Sequence, residues 1–314
     1  MIYLAPLQSY TSVFYRKAFA DVVGGVNKYF TPFFECGKTR FTDPDILPEL
    51  DVALNSNGLL IPQVATNDSD FLVQFYHFVN EMGYREINLN MGCPFPMLVK
   101  RKRGGGLLGE PLLLQEMLDN VFRQLPDMRL SLKIRIGVEE ANDWRSIVDV
   151  INNYPIKEVI VHPRIVAQKY SGVPDWDVFE EIIAACQHSL VGNGDINSVE
   201  DYKSLTSRFP SIKAWMLGRG ILRNPTLVSE LRNVNVTDKM RIEKIRLLHA
   251  AFFNEVMAYY NDWNRVFNFL MTFWYYISMS FDGGVRHYRK LKKHNRETLY
   301  FEWIEGLLDM PWIG

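Results

Sequence analysis

The chain has 314 residues, 47% hydrophobic and 23% charged, with a formal net charge of −1. These values exclude a disordered or fibrous polypeptide. They also exclude attraction to nucleic acid through overall charge, so any such contact must come from local patches.

Taken in chain order, short apolar or β-branched runs fall at residues 2–4, 29–34, 59–64, 86–89, 130–136, 158–161, 190–191 and 214–217. Amphipathic stretches lie between them. Several carry a capping residue at their start: Asn67 and Asp68 before 71–82, Asp143 before 144–152, Asp175 before 176–186, and Ser198 before 199–205. Short strands alternating with helices pair in parallel through crossovers. Eight such units predict a (β/α)8 TIM barrel, with a doubly wound open sheet as the competitor. Unusual residues recur at the C-terminal ends of these strands: Ala5-Pro6, Glu35, Gln63, Asn90, Lys133 and Arg135, His162, Asn193, and Gly218-Arg219. In a barrel those ends converge on one face, whereas in an open sheet only a few of them meet. The barrel is therefore the expectation.

Past residue 233 the strand-like runs stop. Helices are expected at 239–260, 263–280, 285–294 and 299–308, with Gly283-Gly284 as punctuation. The reading is α/β, in two domains: a catalytic barrel over 1–233 and an all-helical domain over 234–314. The helical part is slightly basic, with 11 Lys/Arg against 9 Asp/Glu over 235–314.

Cys36, Cys93 and Cys186 form no CxxC pair and no disulfide-like spacing, which fits a reducing cytosol. Residues 1–4 carry no charged segment ahead of an apolar stretch, so no signal peptide is expected. The longest apolar run, 266–279, is interrupted by Asn268, Thr272 and Ser278 and is too short to span a bilayer; a buried aromatic helix is expected there. A cytoplasmic monomer with no metal and no membrane contact follows from this reading.

The most informative stretch runs Asn88-Leu89-Asn90-Met91-Gly92-Cys93-Pro94, followed by Gly104-Gly105-Gly106-Leu107-Leu108. A strand ends at Asn90 and the chain turns on Gly92 and Pro94, which holds Cys93 in a tight loop at the barrel mouth. A lone cysteine is usually a small buried hydrophobe. The flanking Gly and Pro argue instead for a positioned thiol, whose ordinary pKa suits a general acid. Lys133 and Arg135 alternate on one face of their strand, and two cations aimed into a barrel mouth need anionic company.

The N-x-N-M-G-C-P segment with its downstream glycines resembles the tRNA-dihydrouridine synthase family, of the bacterial, FMN-dependent type. A second segment, from Val161-His162-Pro163-Arg164 through Gln168, Tyr170 and Gly172 to Trp176, is similar to that family's H-x-R-x-x-x-Q-x-Y-x-G-x-x-x-W signature. Ala5-Pro6, Lys133-Ile134-Arg135, Asn193-Gly194-Asp195 and Gly218-Arg219-Gly220 follow in the family's order. The resemblance implies reduction of the C5–C6 bond of specific uridines in tRNA, with hydride from reduced FMN, a proton from Cys93, and NADPH as the electron donor. It assigns Ala5, Pro6, Leu7, Gln63, Lys133, His162, Asn193, Gly194, Asp195, Gly218 and Arg219 to the cofactor. Lys133 would face the flavin's N1–O2 edge and the two glycine-bearing loops its phosphate. Asn90, Gln168 and Tyr170 are assigned to the uridine, and Arg135 to uracil or phosphate.

Two basic segments are read as tRNA phosphate contacts rather than base readers. One is Lys100-Arg101-Lys102-Arg103. The other is residues 285–296, with six Lys/Arg including Arg286, Lys290 and Lys293, no acid, and His287, Tyr288 and His294 interleaved. The first loop departs from the family pattern, with Ser9 and Ser12 where glycine and aspartate are usual; Lys102 also stands where glycine is common. Two other functions compete with this one. A flavin barrel acting on a free pyrimidine has no use for two cationic patches. A catalytically inactive RNA-binding homologue has no use for Cys93, Lys133 and two phosphate loops. Cys36, just past the second strand, is read as structural.

Overall fold

The computed structural model describes residues 1–37, 46–55, 58–293 and 295–314. Eight parallel strands close a barrel. They are β1 (Ile2–Leu4), β2 (Lys28–Phe30, resuming at Phe34–Glu35), β3 (Leu59–Ile61, resuming at Gln63–Ala65), β4 (Glu86–Met91), β5 (Arg129–Arg135), β6 (Glu158–His162), β7 (Ser189–Asn193) and β8 (Ala214–Leu217). The first halves of β2 and β3 pair with each other, as do their second halves, and β1 pairs with both β2 and β8, so the ring has no free edge. This excludes the open sheet.

The interruptions in β2 and β3 fall at Pro32 and Pro62, where the ladder lacks an N–H. Thr31 patches the gap: its N–H donates to Ile61 O at 3.2 Å and its Oγ1 accepts from Gln63 N at 2.8 Å.

Inside the barrel, Tyr3, Ala5, Phe30, Ile61, Ile160, Val191, Ala214 and Met216 form one apolar layer; a larger layer separates the strands from the surrounding helices. The N-terminal end of the barrel is plugged by a buried ionic cluster. Lys28 Nζ lies 2.8 Å from Glu158 Oε1 and 3.4 Å from Glu86 Oε1, Lys157 pairs with Glu86, and Tyr3 OH donates to Glu158 at 3.2 Å. The cavity described below lies at the other end.

Most expected helix starts carry side-chain caps. Asp68 Oδ1 accepts from Asp70 N and Phe71 N, Asp175 from Val178 N, and Ser198 forms a reciprocal capping box with Asp201. Asp143 differs: its Oδ2 accepts from Val138 N at 2.7 Å and closes the preceding loop instead. Ser12, standing where the family has aspartate, caps the helix Val13–Val22. Ser9 and Lys102, standing where the family has glycine, hold φ of +69° and +56°. A left-handed conformation costs a non-glycine residue about 1 kcal/mol. Exposed Ser9 is therefore expected to gain that much on replacement by glycine, raising the midpoint of thermal unfolding by about 2 °C in calorimetry. An unchanged or lower midpoint would contradict the strain.

From Asp238 the described chain is helical, with Asp238–Tyr259, Trp263–Ile277, Gly284–Leu291 and Glu297–Leu308. Val266, Phe267, Leu270, Met271, Phe273, Trp274 and Ile277 are buried, as expected for an aromatic core helix. Tyr300 OH accepts from Trp274 Nε1 at 2.9 Å and lies 2.8 Å from His249 Nε2, and burial pushes His249 down to about 3. These helices pack on the barrel through Phe14 against Tyr259 and Phe269, Tyr15 against Phe252, and the Lys17–Glu255 ion pair. Among the described residues no helix is long and apolar enough to cross a membrane.

Candidate active site

At the C-terminal ends of the strands lies a cavity of about 410 Å³, within the range of small-molecule and cofactor sites. It is walled by residues at the C-terminal ends of β4 to β7 and just past β1 and β8, by Pro32 and Phe33 in the β2 interruption, and by Tyr275 and Tyr276 from the helical part. Strand register explains which side chains meet. Asn90 pairs with Lys133 across β4 and β5, and Arg135 with His162 across β5 and β6.

Cys93 is held by its neighbours. Asn90 Oδ1 accepts from Gly92 N at 3.1 Å and from Cys93 N at 2.9 Å, forming the turn, while Gly105 N donates to Cys93 O at 2.9 Å. The glycine run is required by close packing. A Cβ on Gly105 would lie 2.4 Å from Val166 Cγ2, and one on Gly106 would lie 2.5 Å from Val99 O. Gly104 has φ +54° and touches Cys93 itself. Burial raises the Cys93 thiol pKa, partly offset by the Phe95 backbone, Arg135 and Lys133. The group therefore stays a protonated thiol at neutral pH, as a proton donor must.

Lys133 Nζ donates to Asn193 Oδ1 at 2.9 Å, and Asn193 is aimed by its own Nδ2 donating to Met216 O at 2.8 Å. Burial, with the neighbouring charge of Arg135, pushes Lys133 down to about 7. Such a lysine gains strongly from an incoming anion. Arg135, only 2% exposed, engages three backbone carbonyls: Gly92 at 2.9 Å, Ile165 at 2.9 Å and Lys169 at 2.6 Å. It staples the Cys93 turn to the loop after β6. Burial is the main cause that lowers its pKa to about 10.

Ala5, Pro6, Leu7, Asn90, Cys93, Lys133, Arg135, His162, Tyr170, Asn193, Gly194, Asp195, Gly218 and Arg219 all reach this cavity. Others do not. Gln63 is fully buried and is not among the cavity walls; its Nε2 donates to Asn88 at 2.7 Å and its Oε1 accepts from Asn90 at 2.8 Å. Gln168 Oε1 accepts from Ile165 N at 2.8 Å, folding its own loop. Asp195 holds two arginines, Arg164 at 2.6 Å and Arg219 at 2.7 Å. Burial raises its carboxyl pKa, but the Arg164 bonds and then Arg219 outweigh this and keep it below the usual range.

The glycines of the last two loops serve packing as much as ligand approach. A Cβ on Gly194 would meet the Trp176 ring at 2.6 Å, and one on Gly220 would meet Ile196 O at 2.1 Å. A Cβ on Gly218 would meet two cavity residues, Ala5 and Leu7, each at 3.4 Å.

The basic segments divide. Arg103 is half-buried, donating to Asn67 Oδ1 at 3.0 Å and to Cys36 O at 2.6 Å, so it ties loops together. Arg101 pairs with Glu35 and Lys102 with Glu110. Lys100 is exposed and makes no ion pair among the described residues. On the helix Gly284–Leu291 and just after it, Arg286, Arg289, Lys290, Lys292 and Lys293 are exposed. His287 stacks on Trp303 at 4.0 Å, and Tyr288 packs on Tyr275, a cavity wall, at 5.8 Å. His294 lies outside the described residues. Cys36 is buried and lies off the cavity.

Sequence reasoning missed Tyr10, Pro32, Phe33, Tyr275 and Tyr276 as cavity walls, and Arg164 behind them. Tyr10 contacts Tyr276 at 4.8 Å and Tyr275 at 5.6 Å, joining the first barrel loop to the helical part. Only Arg164 had a signal, its place in the His162–Trp176 motif.

A profile of the family described as Dihydrouridine synthase (Dus) matches residues 3–298. Similar curated proteins include tRNA-dihydrouridine synthase B of Vibrio parahaemolyticus, 26% identical over 212 residues, spanning 66% of this chain and 65% of the relative. The enzyme of the same name from Shewanella oneidensis is 29% identical over 177 residues, or 56% of this chain and 54% of the relative. A tRNA-dihydrouridine(47) synthase [NAD(P)(+)]-like protein of Arabidopsis thaliana is 28% identical over 165 residues, covering 52% of this chain and 24% of the relative. The chain thus matches a quarter to two thirds of these relatives' lengths. Among solved structures, histamine dehydrogenase from a Rhizobium species superposes with a TM-score of 0.56 at 13% identity, over 81% of this chain and 48% of that one. The old yellow enzyme from Trypanosoma cruzi gives 0.51 at 10% identity, over 75% of this chain and 89% of that one. At such identities they show the barrel fold alone.

Proposed function

The chain belongs to the dihydrouridine synthase family, and on that premise we propose that it reduces the C5–C6 bond of uridines in tRNA, using FMN re-reduced by NADPH. The observation that carries this reading is the placement of the Cys93 thiol and the Lys133 ammonium on the walls of one barrel-mouth cavity. The residues present fit a flavin. Lys133 is a partly buried cation lacking a carboxylate partner among the described residues, Gly218 lines the cavity beside Ala5 and Leu7, and Arg219 adds charge on the same wall. In this reading Lys133, Asn193, His162, Ala5, Pro6 and Leu7 hold the ring, while Gly194, Gly218 and Arg219 hold the phosphate end. Bound reduced flavin supplies a hydride to one carbon of the uracil double bond.

Everything else falls to the chain. Cys93 Sγ gives its proton to the other carbon, and the thiolate left behind is stabilised by the nearby charges of Arg135 and Lys133 and takes a proton from solvent at the open mouth. Asn90 and Arg135 hold the turn that carries the sulfur, through Gly92 and Cys93. Tyr170 presents a half-exposed ring, with the Arg219 guanidinium 4.8 Å from its centroid, for stacking against the target nucleoside. The barrel of residues 1–233 performs the chemistry, and the helical part, 234–314, takes the tRNA backbone on its cationic helix. The protein acts as a cytoplasmic monomer.

The deciding experiment is incubation of purified protein with unmodified tRNA and NADPH, followed by detection of dihydrouridine. Product on free uridine but not on tRNA would overturn the substrate. Lys290→Glu with Lys293→Glu is expected to weaken tRNA binding by about 1–2 kcal/mol at low salt and to flatten its salt dependence, in filter-binding titrations from 50 to 200 mM salt. An unchanged salt slope would remove that helix from the interface.

A further inference from the structure

Arg164 is wholly buried, and no step above uses it. Its guanidinium is nevertheless fully engaged. Nε donates to Ser171 O at 3.2 Å, and Nη2 to Gly172 O at 2.7 Å and Asp195 Oδ2 at 2.6 Å. Nη1 donates to Asp195 Oδ1 at 2.9 Å and lies 3.1 Å from His162 Nε2. A guanidinium has only donors and keeps its charge in proteins. The contact with His162 is therefore a hydrogen bond only if Nε2 carries no proton. A neutral His162 ring must then bear its proton on Nδ1, which makes no bond with the described residues while the ring lines the cavity. On its other side Asp195 Oδ1 accepts from Arg219 Nη2 at 2.7 Å, so one carboxylate couples the buried arginine to the one in the cavity wall.

We propose that Arg164 is the positioning residue of this site: it fixes His162 as the Nδ1-protonated neutral tautomer and, through Asp195, fixes the aim of Arg219. This rests on the reading of the cavity as the flavin and uridine site. His162 then offers one hydrogen-bond donor to a ligand's carbonyl oxygen or ring nitrogen. The ring cannot serve as the acid, because charging it would place a proton against Arg164. Burial, together with Arg135, Lys133, Arg164 and Arg219 around the ring, keeps His162 neutral, well below the ordinary histidine range. The two ends of the site are thereby set by one side chain that touches neither ligand.

The test needs no substrate. Long-range ¹H–¹⁵N correlation spectra of the whole protein labelled at histidine, with His162→Gln for assignment, report which ring nitrogen carries the proton. The expected result is a protonated Nδ1 and a bare Nε2, unchanged between about pH 5.5 and pH 8. A wild-type ring protonated at Nε2, or one that titrates in that window, overturns the proposal even if the enzyme reduces uridine. Arg164→Lys keeps a cationic donor; it should preserve the tautomer while lowering flavin affinity about tenfold, because the two-point grip on Asp195 is lost. Arg164→Met should release the tautomer as well, and an unchanged His162 spectrum in that variant also overturns the proposal. Should the methionine variant not fold, the wild-type and lysine spectra decide: a lysine variant whose ring shifts to Nε2–H with flavin affinity intact has the opposite pattern to the one expected.

Discussion

Alanine at position 93 is expected to lower the rate of uridine reduction by about 10²–10⁴-fold, the usual worth of a positioned proton donor, with flavin and tRNA affinities unchanged. The substitution deletes one sulfur at the cavity wall and leaves in place the hydrogen bonds that residue 93 donates from its N–H to Asn90 Oδ1 and accepts at its carbonyl from Gly105 N, so the turn persists. Single-turnover measurements on pre-reduced enzyme isolate this step. Because burial raises the thiol pKa, the pH dependence has a definite sign. The acid is present at neutral pH and is lost as pH rises through a value above the ordinary thiol pKa of about 8.5. The wild-type rate should therefore be flat near neutrality and fall on the alkaline side, and this limb should vanish from the residual rate of Cys93→Ala. An alanine enzyme retaining most of its rate would remove Cys93 from the chemistry.

Lys133→Met is expected to make the protein without flavin more stable while costing it the cofactor. Folding holds Lys133 near pKa 7, against about 10.4 for an unfolded lysine, so the unfolded chain binds more protons between those values. The wild-type protein consequently gains stability as pH rises through that interval and lacks this gain below pH 7. Each unit of depression is worth about 1.4 kcal/mol. Solvent in the open mouth screens a part of it, and methionine leaves Asn193 Oδ1 without its donor at about 1 kcal/mol, so a net gain of about 1–3 kcal/mol is expected at pH 6. The gain should shrink by pH 10, where wild-type Lys133 is already neutral. Urea unfolding of flavin-free protein at the two pH values measures it. In the same variant flavin retention should fall by about 10²-fold, from loss of the cation that this reading places against the ring. A variant destabilised at pH 6 that still retains flavin would contradict both halves.

The chemistry-bearing segments were legible because they are local. A strand end, a turn and a glycine run within residues 88–108 specify where Cys93 sits, since the hydrogen bonds to its own backbone, with Asn90 and Gly105, are made by near neighbours. Strand alternation likewise put Lys133 and Arg135 on one face, and caps such as Asp68 and Ser198 marked helix starts. Roles were less legible than positions. Gln63 and Gln168 stand at a strand start and in a loop, yet their amides are engaged within the protein: Gln168 folds its own loop onto Ile165, and Gln63 reaches Asn88 and Asn90, some twenty-five residues away. Arg103 belongs to a basic run in sequence and to the Cys36 and Asn67 loops in space.

The sequence by itself determined the strand count, the order of the site segments and the place of the Cys93 turn among them, because periodicity, turn chemistry and short motifs act over a few residues. Only the tertiary structure decided that the strands close into a ring across β1 and β8, that Pro32 and Pro62 open β2 and β3 beside the cavity, and that Tyr275 and Tyr276 from the far end of the chain complete its wall. It also decided that Arg164 stands behind His162 and Asp195. Those outcomes depend on packing between segments up to hundreds of residues apart, where shape and charge are matched only after the chain has folded.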